Sequence, residues 1–156
     1  DIIITLDRHC YNKDYVIAKE EQLSMHFVTN VGSKFAGKQE LSIRDISGEP
    51  FVLTEHGQGY RRVLDRELAK KHMEITPVLE IGRTDMITSI LTQSNMISFL
   101  PDFATKHLVD AGVLCYLDIC DVNVEIWKQL IYHKHKWLSK SLKTVIDYIK
   151  ENEFSN

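Results

Sequence analysis

Cysteine, excess positive charge and long apolar runs are all scarce in this sequence, and each scarcity closes off a class of protein. The three cysteines, Cys10, Cys115 and Cys120, form neither an even disulfide framework nor two metal-spaced pairs. That pattern argues against a disulfide-stapled secreted scaffold and fits a reducing cytosol. No apolar stretch approaches the ~20 residues that cross a bilayer, and no basic-then-apolar signal peptide opens the chain. A soluble cytoplasmic protein with no membrane partner is expected. With 19 Lys and Arg against 22 Asp and Glu, the chain lacks the basic excess that accompanies binding to a phosphate backbone. There is no internal repeat and no low-complexity tract.

What is present is about one domain's worth of chain, 156 residues, of which 44% are hydrophobic, enough for a packed core. The sequence starts without Met, in Asp1-Ile2-Ile3-Ile4-Thr5. This β-branched run reads as a buried strand, so the chain is expected to enter a domain part-way through. Alternating apolar positions predict two more strands over 15–20 and 23–29, with a turn at Val31-Gly32-Ser33. Ser42-Ile43-Arg44-Asp45 has capping-box spacing with Asp in place of Glu, and Gly48 would end so short a helix.

From Phe51 onward the pattern switches regularly between periods. Strands are predicted over 51–54, 76–81, 96–100 and 113–117. Helices are predicted over 60–71, 84–93 and 101–111, with Thr84 as an N-cap, Pro101 at a first helical position and Gly112 as a stop. Strand–helix–strand repetition of this kind predicts an α/β class with a mostly parallel sheet covered on both faces. A strand over 124–133 follows. Leu138, Leu142, Val145, Ile146 and Ile149 then stripe a terminal helix capped by Ser139. The expected organisation is two-lobed: residues 1–29 and 123–156 contribute to the first lobe with its hinge strands, and residues 30–122 form the second.

At this point the residues resemble a known family. Ser33-Lys34-Phe35-Ala36-Gly37, Leu41-Ser42-Ile43-Arg44-Asp45-Ile46-Ser47-Gly48-Glu49-Pro50-Phe51, then Arg61, Leu64-Asp65 and Leu68, are similar to the hinge exit of LysR-type transcription regulators. So are Ile97-Ser98-Phe99-Leu100-Pro101, Gly112-Val113-Leu114 and Leu138-Ser139. The order and spacing carry the resemblance. It implies a type-2 periplasmic-binding-protein-like α/β fold with two lobes, the first incomplete here. It also implies a small-molecule effector in the inter-lobe cleft, and DNA contact only through an N-terminal helix-turn-helix domain absent from this sequence. A homodimer or homotetramer is implied as well. Where members usually carry glycines, this chain has Gln93-Ser94-Asn95.

In open α/β sheets, ligands sit at the carboxyl ends of strands, where helix N-termini present free N–H groups and a partial positive charge. That rule selects Thr54, Glu55, His56, Gln58 and Tyr60 in the first such loop, and Arg83 and Thr84 in the second, Arg83 as a bidentate carboxylate clamp. It also selects Pro101, which would shape a wall, and Thr5 and Leu6 at the end of the opening strand. The expected effector is therefore a small anionic metabolite.

Other constellations read as structural. His133 and His135 share a strand face but find no third ligand, so no metal and no cofactor is expected. Asp7-Arg8-His9-Cys10 gathers suggestive residue types in a row, whereas catalytic groups converge from separate elements. No enzyme is expected. A transporter-type solute-binding protein of the same fold stays open as the alternative.

Overall fold

The computed structural model describes residues 1–154. They mix helices and strands and divide into two units, Asp1–Leu23 with the chain from Glu125 onward (unit 1), and Ser24–Val124 (unit 2). Among the described residues, no helix is long and apolar enough to cross a membrane.

Unit 2 is organised around β3, Met25–Asn30, which pairs antiparallel with β6, Ser98–Pro101, on one side and with β7, Leu114–Leu117, on the other. Beyond β6 lies β4, Val52–Leu53, joined to the chain before β6 by a parallel bridge between Phe51 and Ile97 and by the bond from Val52 N–H to the Ile97 carbonyl, 3.0 Å. β5, Leu79–Glu80, pairs parallel with β4. The spatial order is therefore β5-β4-β6-β3-β7, with β3 alone running against the other four.

This corrects two expectations. The predicted strand over 23–29 is not part of the first lobe, because its ladder partners are all in unit 2. Nor are the sheets mostly parallel. The period switching after Phe51 did identify co-directional strands, but β3 enters before that pattern begins and is inserted between two of them. Side-chain alternation explains why it belongs there. Val28 packs with Val52, Leu100, Leu114, Ile87 and Leu91 on one face, while Phe27 meets Phe99 and Phe51 on the other. A half-buried surface strand would not be apolar on both sides.

The helices follow from local chemistry. In the short α1, Ile43–Ile46, the Asp45 carboxylate accepts from the Ser42 backbone N–H and from the Ser42 hydroxyl, both at 2.7 Å. Those bonds hold the Asp45 carboxyl below its ordinary pKa, the hydroxyl contributing most. α2, Gly59–Ala69, α3, Thr84–Thr92, and α4, Asp102–Asp110, each start one position away from at least one sequence reading. Arg83, in extended conformation, takes the N-cap position predicted for Thr84, which is the first helical residue instead. Pro101 is likewise the N-cap of α4 and the last residue of β6, because its ψ of 152° is extended. Gly112, at φ +70°, ends α4 in the left-handed region, where only glycine is unstrained.

Unit 1 is a three-stranded antiparallel sheet in the order β1-β8-β2: Ile2–Asp7, Ile126–His133 and Tyr15–Leu23. α5, Lys140–Asn152, covers one face and buries Ile146 with Leu130 and Phe154. Its N-cap is Ser139, whose hydroxyl accepts from the Leu142 N–H at 3.2 Å. The opening strand was expected to be buried. Among the described residues it pairs on one side, with β8, and Ile3 and Ile4 are each 43% exposed. An unbroken β-branched run signals strand, but it does not say how many neighbours the strand has.

Candidate functional site

The register of unit 2 collects several chain ends on one edge of its sheet. Met25 lies opposite Pro101 and Phe27 opposite Leu117, so the start of β3 meets the carboxyl ends of β6 and β7. The carboxyl ends of β4 and β5 point the same way. The amino ends of α2, α3 and α4 follow β4, β5 and β6 directly. This is the edge where loops and free helix N–H groups can serve a ligand.

The first predicted loop is built around Arg61, which sequence reading passed over as a site residue. Arg61 is 4% exposed. Its Nη1 donates to the Thr54 carbonyl at 2.9 Å and to Glu80 at 3.3 Å, while its Nε donates to Asp65 at 2.8 Å. His56, exposed, reaches the same Asp65 carboxylate at 3.3 Å. A charge this buried requires such partners. The guanidinium thereby pins the loop to both α2 and β5. Gly57, at φ +99°, supplies the turn between them.

Of the predicted residues here, Glu55 and His56 are exposed and Gln58 is half-buried at the N-cap of α2. Thr54 and Tyr60 are buried, with Tyr60 6% exposed.

The second predicted loop touches the first. Glu55 Oε1 would lie 3.0 Å from a Cβ placed on Gly82, and Gln58 Nε2 reaches the Gly82 carbonyl at 3.5 Å. Arg83, however, is not a free anion clamp. Its Nε and Nη2 both donate to the Asp85 carboxylate, a pairing that raises the arginine pKa and lowers that of Asp85. The forked geometry expected for a ligand carboxylate is occupied by one two residues along the chain. Thr84 is half-buried and Pro101 buried. In unit 1, Thr5 lies opposite Gln129 with its hydroxyl buried and, among the described residues, without a hydrogen-bond partner, and Leu6 is half-buried.

A second feature of the unit 2 edge was missed altogether. A pocket of about 310 Å³ opens where β3 starts and β6 and β7 end, and His26, Phe27, Phe99, Tyr116 and Leu117 are among the residues that line it. The His26 and Tyr116 rings stack, centroids 4.2 Å apart and 19° between planes. His26 Nε2 lies 3.0 Å from Asp102 Oδ1, and the Tyr116 hydroxyl is 3.2 Å from Thr105 Oγ1. The strand-end rule that selected Thr54 and Arg83 applies equally to the end of β7. Knowing that β3 is antiparallel would have added its first residues.

Among the described residues, no cluster of three His, Cys, Asp or Glu could hold a metal. Cys115 is half-buried, and burial pushes its thiol pKa up, the opposite of an activated cysteine.

A family model described as the LysR substrate binding domain matches residues 1–153. The chain belongs to this family. Among curated relatives of this LysR-family chain, the uncharacterized HTH-type transcriptional regulator YwqM of Bacillus subtilis is 26% identical over 117 residues, covering 75% of the chain and 39% of that protein. The HTH-type transcriptional activator CmpR of Synechocystis is 24% identical over 131 residues, covering 80% and 43%. The chain thus spans about two-fifths of the curated relatives it matches. These relatives are transcription regulators and not enzymes, and they do not favour the transporter alternative.

Solved structures share the fold. The Synechocystis PCC6803 CcmR regulatory domain in complex with 2-PG superposes with a TM-score of 0.75 at 20% identity, covering 97% of this chain and 72% of that one. The effector binding domain of QuiR in complex with shikimate gives 0.75 at 13% identity, covering 95% and 70%. The LysR-family chain therefore has the fold of effector-binding domains.

Proposed function

We propose that this chain is the effector-sensing region of a LysR-type DNA-binding transcription regulator, and that it binds a small anionic metabolite at the loop edge of unit 2. Glu55, His56, Gln58 and Thr84 are the side chains closest to that role, and Thr54, Tyr60, Arg83 and Pro101 shape the edge. DNA would be met through a helix-turn-helix domain outside these residues, in a cytoplasmic homodimer or homotetramer.

The observation that carries this reading is that α2, α3 and α4 all begin at one sheet edge and in none of them does the N-cap side chain accept a bond from a helix N–H. The first N–H groups of a helix have no intrahelical acceptor, and together with the dipole they favour an anion by about 0.3–1 kcal/mol each. Asp85 and Asp102 stand in the first turns of α3 and α4, whereas the first turn of α2 has no acidic residue. The N–H groups of Gly59, Tyr60 and Arg61 are therefore the best placed. The shikimate bound by QuiR and the 2-PG bound by CcmR are in keeping with a small-molecule effector here.

The test is a thermal-shift screen of metabolite carboxylates on the full-length protein. A ligand at about 100 times its Kd stabilises the fold by roughly 2.7 kcal/mol, which for a chain of this size is a rise of several degrees. Gly59→Pro should abolish or sharply reduce that shift without lowering the unliganded Tm. Proline is well tolerated at the first helical position but has no N–H to donate, and the extended Gln58 before it suits the substitution. A shift that survives both Gly59→Pro and His56→Ala places the effector elsewhere.

A further inference from the structure

We propose that unit 2 carries a second small-molecule site, on the flank of α2, and that it takes a compact uncharged carboxamide whose carbonyl accepts from Arg61. The spacing i, i+4, i+8 puts Arg61, Asp65 and Ala69 on one face of that helix. Where α2 ends the chain turns back on it. The His72 N–H bonds to the Ala69 carbonyl at 3.0 Å and the Met73 N–H to the Leu68 carbonyl at 3.1 Å, with His72 in the left-handed region at φ +56°. Met73, Glu74 and Ile75 are thereby brought to the same face, and together these side chains line a cavity of about 200 Å³. Since a cavity of about 150 Å³ holds benzene, there is room for a ligand of about six to eight non-hydrogen atoms.

Arg61 supplies the recognition. Its side chain is 5% exposed. Nε donates to Asp65 and Nη1 to the Thr54 carbonyl and Glu80, whereas Nη2 donates to no group among the described residues. Unlike Asp65 Oδ2, Nη2 is not sealed from solvent. Two free N–H donors on a cation this buried call for an acceptor. The neighbours decide its charge. Asp65 and Glu80 already flank the guanidinium, and Glu74 lines the same cavity. A carboxylate ligand would face all three, a net repulsion, and an ammonium would meet Arg61 and leave Nη2 without an acceptor. A carboxamide avoids both. Its oxygen accepts from Nη2, and its N–H donates to Glu74, an exposed carboxylate with no hydrogen bond or ion pair among the described residues. Its alkyl part lies against Ala69, exposed, and Met73, half-buried.

The experiment titrates the full-length protein, its Met and Ile methyl groups labelled with carbon-13, with butyramide, butyrate and butylamine at millimolar concentrations. Butyramide should move the Met73 and Ile75 methyl signals saturably and bind about tenfold tighter than either charged isostere, equivalent to 1.4 kcal/mol. Ala69→Leu, which fills the cavity from an exposed position, should abolish the response, and Glu74→Ala should weaken binding about fivefold through loss of one hydrogen bond. Arg61→Lys keeps the charge without Nη2 and should also abolish it; if that variant fails to fold, the other two carry the test, because neither side chain holds a bond that the fold needs. Methyl signals that stay fixed up to the solubility limit of butyramide overturn the proposal. So does butyrate or butylamine binding as tightly as butyramide, or a response that Ala69→Leu leaves unchanged.

Discussion

Replacing Arg61 with Ala is expected to lower the stability of unit 2 by about 3 kcal/mol, or roughly 6–12 °C in Tm for a chain of this length. The side chain is almost wholly buried and is bonded to the Thr54 carbonyl, Asp65 and Glu80. Its removal leaves a buried carbonyl without its donor and two carboxylates without a counter-ion. Breaking a fully buried pair costs about 3–5 kcal/mol. The low end applies because Asp65 and Glu80 are 27% and 42% exposed and water can recover part of their solvation. Arg61→Lys should rescue little, since an ammonium cannot span three acceptors with the geometry of a planar fork. Thermal unfolding followed by far-UV circular dichroism measures this, and a loss under about 1 kcal/mol would mean that the network is not what holds the loop.

Phe51→Ala should cost about 3–5 kcal/mol, the range for emptying a large aromatic side chain from a packed core. Phe51 is fully buried, its ring edge-on to Phe27 with centroids 6.5 Å apart. Its backbone bridges to Ile97, and its carbonyl accepts from the Val78 N–H at 2.8 Å. The site thus sits where β4, β5 and the approach to β6 meet, and neighbouring backbone held on both sides leaves little freedom to collapse into the cavity. Urea unfolding should show a lower midpoint with an unchanged slope. Circular dichroism is the suitable probe because both tryptophans, Trp127 and Trp137, belong to unit 1. A cost below about 1.5 kcal/mol, the level of a volume-conserving swap, would contradict this placement of the core.

What could be read from the residues alone was local. The order of strands and helices from Phe51 to Leu117 followed from switches of period, and Gly112 and Ser139 marked ends because glycine conformation and hydroxyl capping act within a few residues. What could not be read were partners at a distance. Nothing in residues 25–30 announces that they run antiparallel between two strands some seventy to ninety positions later in the chain, and nothing in Ile2-Ile3-Ile4 names β8 as their ladder partner. The same division holds for the site. Loop 54–60 is selected by its position after a strand, but the burial of Tyr60 and the pairing of Arg83 with Asp85 depend on side-chain geometry. The Arg61–Asp65 spacing of four residues was legible as a helix ion pair; its reach to Thr54 and Glu80 was not.

The central claim, an effector bound at the loop edge of unit 2, is tested most directly by amide chemical shifts. The full-length protein, labelled with nitrogen-15, would be titrated with the tightest-binding carboxylate of the screen. The account predicts that the largest shifts fall on the amides of Gly59, Tyr60 and Arg61, whose N–H groups head α2 without an intrahelical acceptor. Amides that stay fixed there while the largest changes appear around His133 and His135, at the far end of β8, would contradict it.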